Sequence, residues 1–253
     1  MSSRRLSSET AAVSSLCAGD VAALYRIYER CYDGSDPARF EADLKEKHWV
    51  ILLRDPASLA VVGFSTQTII DVEVDGTPVR ALFSGDTVID PRYWGTQELV
   101  RSWCRLAGEI KARRADLPLY WFLTSKGYRT YLYLPCFFRT FYPRYDRPTP
   151  AFARRLIHVL GTTRYPREFN AATGLVEHRG DHDRVKQALD ATPRHLANPH
   201  VQFFVRRNPR YREGSELVCV AEISPANMRS IARRDVEAAL ARAASAAAEG
   251  EQR

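Results

Sequence analysis

The chain has 253 residues, 45% of them hydrophobic and 26% charged, with a net charge of +7; this is the balance of a soluble protein that buries a core. No apolar run approaches the length of a membrane span, and the opening MSSRRLSSETAAVSS lacks the apolar stretch of a secretory signal. Five scattered cysteines without a CxxC pair give neither a zinc motif nor a disulfide framework, so the simplest reading is a reduced, cytoplasmic protein.

In chain order, the Ser-rich residues 1–15 read as a disordered tail. VAALYRIYERCY repeats apolar residues at helical spacing behind Asp20, a candidate cap. A second helix opens at SDPARF, where Asp36 suits the N-cap and Pro37 the first helical position. HWVILLR, VVGFSTQTIIDVEV and TPVRALFSGDTVID follow as three strands, the last two joined at Asp75-Gly76, a strong hairpin signal. A long helix over 95–114 has an apolar face of Leu99, Trp103, Leu106, Ala107 and Ile110. LYWFLTS is a strand too apolar for an edge. Residues 127–134 read as a short helix stopped by Pro135. Beyond it come a helix ending at Gly161, a short strand over 175–178 and a helix in DHDRVKQAL capped by Asp181. NPHVQFFVRRNP is helical or extended, ELVCVAEI (216–223) is a strand, and a helix starts at Ser224-Pro225. The reading is one α/β domain over 16–223, with an insertion at about 150–200 and a C-terminal helix and tail over 224–253.

The stretch LFSGDTVIDPRYWGTQELVRSW (82–103) is a strand, a sharp turn and a helix start. Successive N–H groups over 93–97 would point at a pyrophosphate docked on the helix, with Arg92 adding a cation and Gln97 an amide. The same residues also suit an ordinary corner, in which Pro91 ends the strand, Gly95 eases the turn and Trp94 packs. Asp86 is notable because a carboxylate inside a strand is depleted by propensity and costly when buried alone. Strand alternation puts it on one face with Ser84 and Val88. It reads as a general base, or as the partner of an arginine or a cap on the sheet edge.

The order helix–helix–β–β–β–helix–β–helix…β resembles the GNAT superfamily of acyl-CoA N-acyltransferases, read from its first helix on. The family's initial strand would fall on AAVSSLC (11–17). VIDPRYWGTQ is similar to the family's Arg/Gln-x-x-Gly-x-Gly/Ala turn at Ile89, Pro91, Arg92 and Gly95, and departs from it at Gln97. The resemblance covers roughly 20–145, with 216–223 completing the sheet. It implies a mixed, mostly antiparallel α/β (α+β) sheet flanked by helices, with an insertion before the last strand.

It also implies a co-substrate, acetyl-CoA or a longer acyl-CoA; the histidine and cysteine spacings indicate no metal. Thr87, Val88 and Ile89 would offer backbone N–H groups to the thioester and pantetheine, and Arg92, Trp94, Gly95, Thr96 and Gln97 would form the phosphate turn. Asp86 would be the base. Aligning KGYRTYLYLPCFF with the family's Asn…Ala…Tyr…Gly-Phe pattern makes Tyr133 the general acid, with Tyr131 as fallback and Phe138 closing the motif. Lys126 stands where the family has Asn, and Phe137 where it has Gly. Ser125 would hydrogen-bond the acceptor or the cofactor amide.

The implied function is direct acyl transfer from a thioester to an amine of a small molecule, CoA or an acyl carrier protein being the donor. Two other readings stand beside it. One is a GNAT-fold module that acts by interaction, suggested by Trp94 and Gln97 in the turn. The other is a tRNA- or nucleic-acid-associated protein, suggested by FFVRRNPRYR, although no long basic run supports it. His178 and His182 in EHRGDH suit a polar loop better than a metal site. The sequence does not fix the oligomeric state; a homodimer is one option.

Overall fold

The computed structural model describes residues 6–178, 182–187 and 190–251, with side chains through 246. Its strands are β1 (Ser7–Ala12), β2 (Tyr32–Asp33), β3 (Trp49–Arg54), β4 (Val61–Val74), β5 (Thr77–Ile89), β6 (Leu119–Ser125), β7 (Phe169–Asn170), β8 (Leu175–Val176), β9 (Arg184–Val185) and β10 (Glu216–Glu222). Its helices are α1 (Ala18–Cys31), α2 (Pro37–Lys45), α3 (Glu98–Arg113), α4 (Tyr128–Tyr131), α5 (Tyr133–Phe137), α6 (Ala151–Arg164), α7 (Pro193–Leu196), α8 (Pro199–Arg207) and α9 (Ser230–Glu251). Eight strands form one sheet in the order β1–β3–β4–β5–β6–β10–β8–β7, while β2 and β9 form a separate ribbon. Every pair in the sheet is antiparallel except β5–β6, where the α3 crossover makes the strands parallel. This is the mixed, mostly antiparallel class expected from the sequence.

Helices cover both faces. On one, the α3 stripe Leu99, Trp103, Leu106, Ala107 and Ile110 is buried against Ile51, Leu53, Leu82 and Trp121. α9 lies over α3 so closely that a Cβ at Gly108 would stand 2.6 Å from the Ala239 Cβ. On the other face α1 and α2 cover Val50, Leu52, Phe64 and Val88. Beside them α6 covers Phe83, Phe122, Val218 and Val220. A gap between α2 and the end of α6 is what positions the site described below.

Several local expectations are corrected. The tail expected over 1–15 contains β1, which pairs with β3 through all six of its residues; residues 1–5 lie outside the described residues. AAVSSLC holds only the end of that strand and a 3-10 turn. Asp20 is not the N-cap of α1. Cys17 caps, and Asp20, three residues on, accepts the Cys17 N–H at 3.2 Å. Asp36 does cap α2, accepting from Arg39 N at 2.7 Å. Pro135 does not end a helix but sits in the first turn of α5, where its missing N–H has no intrahelical acceptor to lose. α6 runs past Gly161 to Arg164. No α-helix forms over 182–187; Arg184–Val185 pairs with Tyr32–Asp33 instead, and Asp181, Ala188 and Leu189 lie outside the described residues. The last helix begins at Ser230 rather than at Ser224. β10 is interior, because β8 and β7 from the insertion extend the sheet past it.

Candidate functional site

β5 and β6 pair from Arg80–Leu119 to Ser84–Leu123, and there the pairing stops, although β5 continues to Ile89 and β6 to Ser125. The strands therefore part at Gly85. β5 stays on β4, but the register slips, so that Gly85 and Asp86 together oppose Thr66. This is a β-bulge, and it re-aims the side chains beyond it. Ser84 points to the α3 face, where both Trp103 Nε1 (3.2 Å) and Trp121 Nε1 (2.8 Å) donate to its hydroxyl. Thr87 returns to that face and bonds Ser65 Oγ at 2.7 Å. Asp86 points to the opposite face. The expectation that Ser84 and Asp86 share a face is thus corrected by one inserted residue. Gly85 is required here: a Cβ would stand 2.6 Å from Thr66 Oγ1 and 2.8 Å from Lys47 Cε.

Three cavities open at the parting. One, of about 210 Å³, lies in the gap between α2 and α6 and is lined by Asp86, Lys47, Lys126, Tyr28, Asp183 and Glu216 among others. The second is a groove of about 430 Å³ along β5, the turn at Trp94–Gln97, and α4 and α5. The third, about 30 Å³, is apolar and lies between the sheet and α3. Thr87 and Thr130 line all three.

The first cavity is densely charged. Lys126 pairs with Asp183, lies 3.7 Å from Glu216 and sits over the Tyr32 ring at 5.4 Å. Burial pulls the Lys126 pKa down, but Glu216 and Asp183 more than offset this and hold it above the usual lysine value. Burial would raise the Asp183 acid, yet Lys126 and the Tyr28 hydroxyl, which donates to it, bring it down to about 2. Lys47 is buried with its Nζ 2.7 Å from Asp43, which Arg164 also holds at 2.8 Å. His178 bonds Glu216 at 2.9 Å, and its ring lies 4.4 Å from that of His182. Asp86 is half-buried and, unlike Asp183 and Glu216, has no hydrogen bond or ion pair with any described residue. Burial, then the charges of Asp43 and Asp183, push its acid up to about 7 against the pull of Lys126 and Lys47.

The groove is built from backbone. Asp90 N donates to Val62 O at 2.9 Å, so ladder alternation turns the Val88 N–H toward β4 and those of Thr87 and Ile89 into the parting. Gly95 has φ +89° with open space at its Cβ position, so glycine is needed there for the backbone angle rather than for close approach. The amides of Gly95 and Gln97 meet no acceptor among the described residues. Arg129 stacks 4.1 Å over the Trp94 ring, bringing a cation to the groove mouth, and Trp94 Nε1 is fixed to Ile89 O at 2.9 Å. These free amides, with a cation beside them, suit an acyl-pantetheine arm ending in phosphates.

The structure brings Asp86, Thr87, Val88, Ile89, Trp94, Gly95, Thr96, Gln97 and Tyr133 to the parting and its groove. The Tyr133 hydroxyl has no partner among the described residues, and burial pushes its phenol up, keeping it protonated. Four candidates do not fit their expected roles, the first being Val88, whose N–H is turned to β4 and away from the parting. Arg92 is spent on Asp90 through two bonds of 3.0 and 2.8 Å and does not line the groove. Tyr131 is fully buried and donates to Pro143 O at 3.0 Å, so the fallback acid is a core residue. Ser125 is fully buried with its hydroxyl donating to Gly127 O at 2.8 Å, which orients the opening of α4. Phe138 is a core residue against Trp103 and Trp121.

No family model matches the chain, and no curated protein matches it. Solved structures match over about half of it. A probable N-acyltransferase of Enterococcus faecalis is 11% identical over 53% of this chain and 33% of its own, with a TM-score of 0.40. A GNAT family N-acetyltransferase of Escherichia coli in complex with CoA is 15% identical over 48% and 63%, with a TM-score of 0.35. The N-myristoyltransferase of Saccharomyces cerevisiae with bound myristoyl-CoA is 15% identical over 50% and 30%, with a TM-score of 0.36. This chain thus spans less than two thirds of the length of each. In its own topology, the antiparallel meander, the α3 crossover to a parallel β6 and the parting of β5 from β6 give the chain a GNAT-like fold.

Proposed function

We propose that the protein is an N-acyltransferase that moves an acyl group directly from the thioester of acyl-CoA to an amine of a small molecule. One observation carries this reading: a charged cavity and a groove along β5 meet at Thr87 and Thr130 where β5 and β6 part. The thioester arm lies in the groove, with its carbonyl accepting from the N–H groups freed on β5. The amine arrives through the charged cavity, where five carboxylates (Asp36, Asp43, Asp86, Asp183, Glu216) face three lysine and arginine side chains (Arg39, Lys47, Lys126) among the described residues. Arg164 holds Asp43 from outside the cavity, so the acidic excess that draws an ammonium ion is the charge of Asp86 once it ionises. Asp86, unpaired and titrating near 7, takes its proton, and the free amine attacks the carbonyl carbon. As the C–S bond breaks, Tyr133 supplies a proton to the departing sulfur, and the second proton shed by the amide nitrogen passes through solvent to restore the tyrosine.

Calorimetry on the full chain with CoA and acetyl-CoA tests the donor side. Saturable binding is expected, and its absence for every thioester, a carrier-bound acyl group included, refutes the enzyme reading. Nucleic-acid binding with a steep salt dependence, in the absence of thioester binding, would favour the nucleic-acid reading instead.

A further inference from the structure

The third cavity is not needed for acetyl transfer, and its chemistry differs from that of its neighbours. It runs from Thr87 and Thr130 inward between the sheet and α3, walled by Leu99, Trp103, Trp121, Leu123, Phe137 and Phe138. Its mouth is the reaction centre, since Thr87, Thr130 and Tyr133 belong also to the groove. From the geometry we infer that this cavity seats the donor's acyl group, and that the preferred donor carries a short aliphatic chain of three or four carbons. The inference rests on the acyltransferase reading above and adds to it the class of donor.

The length limit follows from the cavity floor. Ser84 Oγ accepts from both Trp103 Nε1 and Trp121 Nε1 and donates to Gln67 Oε1 at 2.6 Å. Gln67 Nε2 donates in turn to Ser65 Oγ at 2.7 Å, and Ser65 meets Thr87. Ser65, Gln67 and Ser84 are all buried. Deepening the cavity would break this chain and strand buried donors, each at a cost well above the gain from one more methylene. The floor is therefore fixed. The cavity's 30 Å³ compares with roughly 10–15 Å³ for one water-sized group in the same measure, so it holds about two or three such groups. Counting those as carbons beyond the carbonyl gives a propionyl or butyryl group. An acetyl group leaves most of the apolar wall uncovered, and an octanoyl chain meets the Ser84 floor.

The test is calorimetric titration of the full chain with CoA and with acetyl-, propionyl-, butyryl-, octanoyl- and palmitoyl-CoA. Affinity should rise roughly fourfold for each methylene from acetyl to butyryl and fall again at octanoyl. Equal binding of all acyl-CoAs and free CoA overturns the acyl cavity but leaves the donor groove standing. Tightest binding of octanoyl- or palmitoyl-CoA overturns the length limit. Failure of every CoA species to bind removes the acyltransferase reading, and the cavity's role with it. Leu99 lines this cavity and not the groove. Leu99→Phe should abolish the butyryl-over-acetyl preference while CoA binding persists. Leu99→Ala, which keeps the test open if the larger side chain disturbs folding, should move the optimum to a longer chain; an unchanged optimum in a folded Leu99→Ala protein counts against the proposal.

Discussion

Replacing Asp86 by Asn should make the protein more stable and less active at once. The acid stands at about 7 instead of 3.8 because burial and the carboxylates of Asp43 and Asp183 disfavour its charge. Between about pH 4 and 7 the folded chain therefore holds a proton that the unfolded chain has released, and wild-type stability falls as pH rises through that window. The deficit is absent below about pH 4 and complete above 7. Three units at about 1.4 kcal/mol each set an upper bound of about 4 kcal/mol. Water in the open cavity screens part of it, leaving an expected gain of about 1–2 kcal/mol for Asp86→Asn at pH 8. Urea unfolding of both proteins at pH 4, 6 and 8 should show a difference that starts near zero and grows to a plateau. Over the same range wild-type kcat/KM should climb and level off above 7, while the variant loses at least tenfold at pH 8. A variant less stable than wild type at pH 8 would refute the reasoning, because it would make Asp86 a partnered structural carboxylate.

The other predictions separate the parts of the site. Tyr133→Phe should lower kcat at least tenfold while acyl-CoA affinity, read by calorimetry, changes less than about twofold. Arg129→Gln should weaken CoA binding about fivefold through loss of a charge-assisted contact, and leave binding of the matching acyl-pantetheine, which lacks the phosphates, unchanged. Gly85→Ala should cost about 1–3 kcal/mol in urea unfolding, since its Cβ meets Thr66 and Lys47, and activity should fall with it. Lys126→Met removes a cation that lowers the Asp86 pKa, so the ascending limb of the pH–rate profile should move above 7. An unmoved limb would disconnect Lys126 from the base.

What the sequence made legible is local. The Asp75-Gly76 turn, the Asp36 cap and the α3 stripe are set by neighbours within one or two turns of chain, and all three appear as read. β1 escaped notice because SSETAA has little apolar character; it is held by pairing with the β3 edge and by Ser8, whose hydroxyl donates to Glu98 at 2.8 Å. The surroundings of Asp86 were equally out of reach. Asp43 and Lys47 come from α2 and the turn after it, Lys126 from the end of β6 and Asp183 from the insertion, and no spacing rule joins them. Thr130 and Arg129 were passed over as part of an aromatic run, although a threonine and an arginine opening a helix beside a parted strand are the polar groups that run contributes to the groove.

The faces of β5 depend on one residue. Alternation puts Asp86 with Ser84, whereas Gly85, a glycine within a strand, is the residue at which the bulge forms. The bulge bears on the site because it exchanges the faces of the residues beyond it, so that Asp86 rather than Thr87 enters the charged cavity. Asp86 faces the charged cavity, and Thr87, one residue later, keeps its side chain on the apolar side and turns its N–H into the parting. In a regular strand residues two apart share a face, so a carboxylate at 86 would lie beside Ser84, under Trp103 and Trp121. On the proposed reading, the bulge makes the proton acceptor at Asp86 and the thioester cradle at Thr87 covalent neighbours at the parting of β5 and β6. Direct transfer between two bound substrates needs that arrangement.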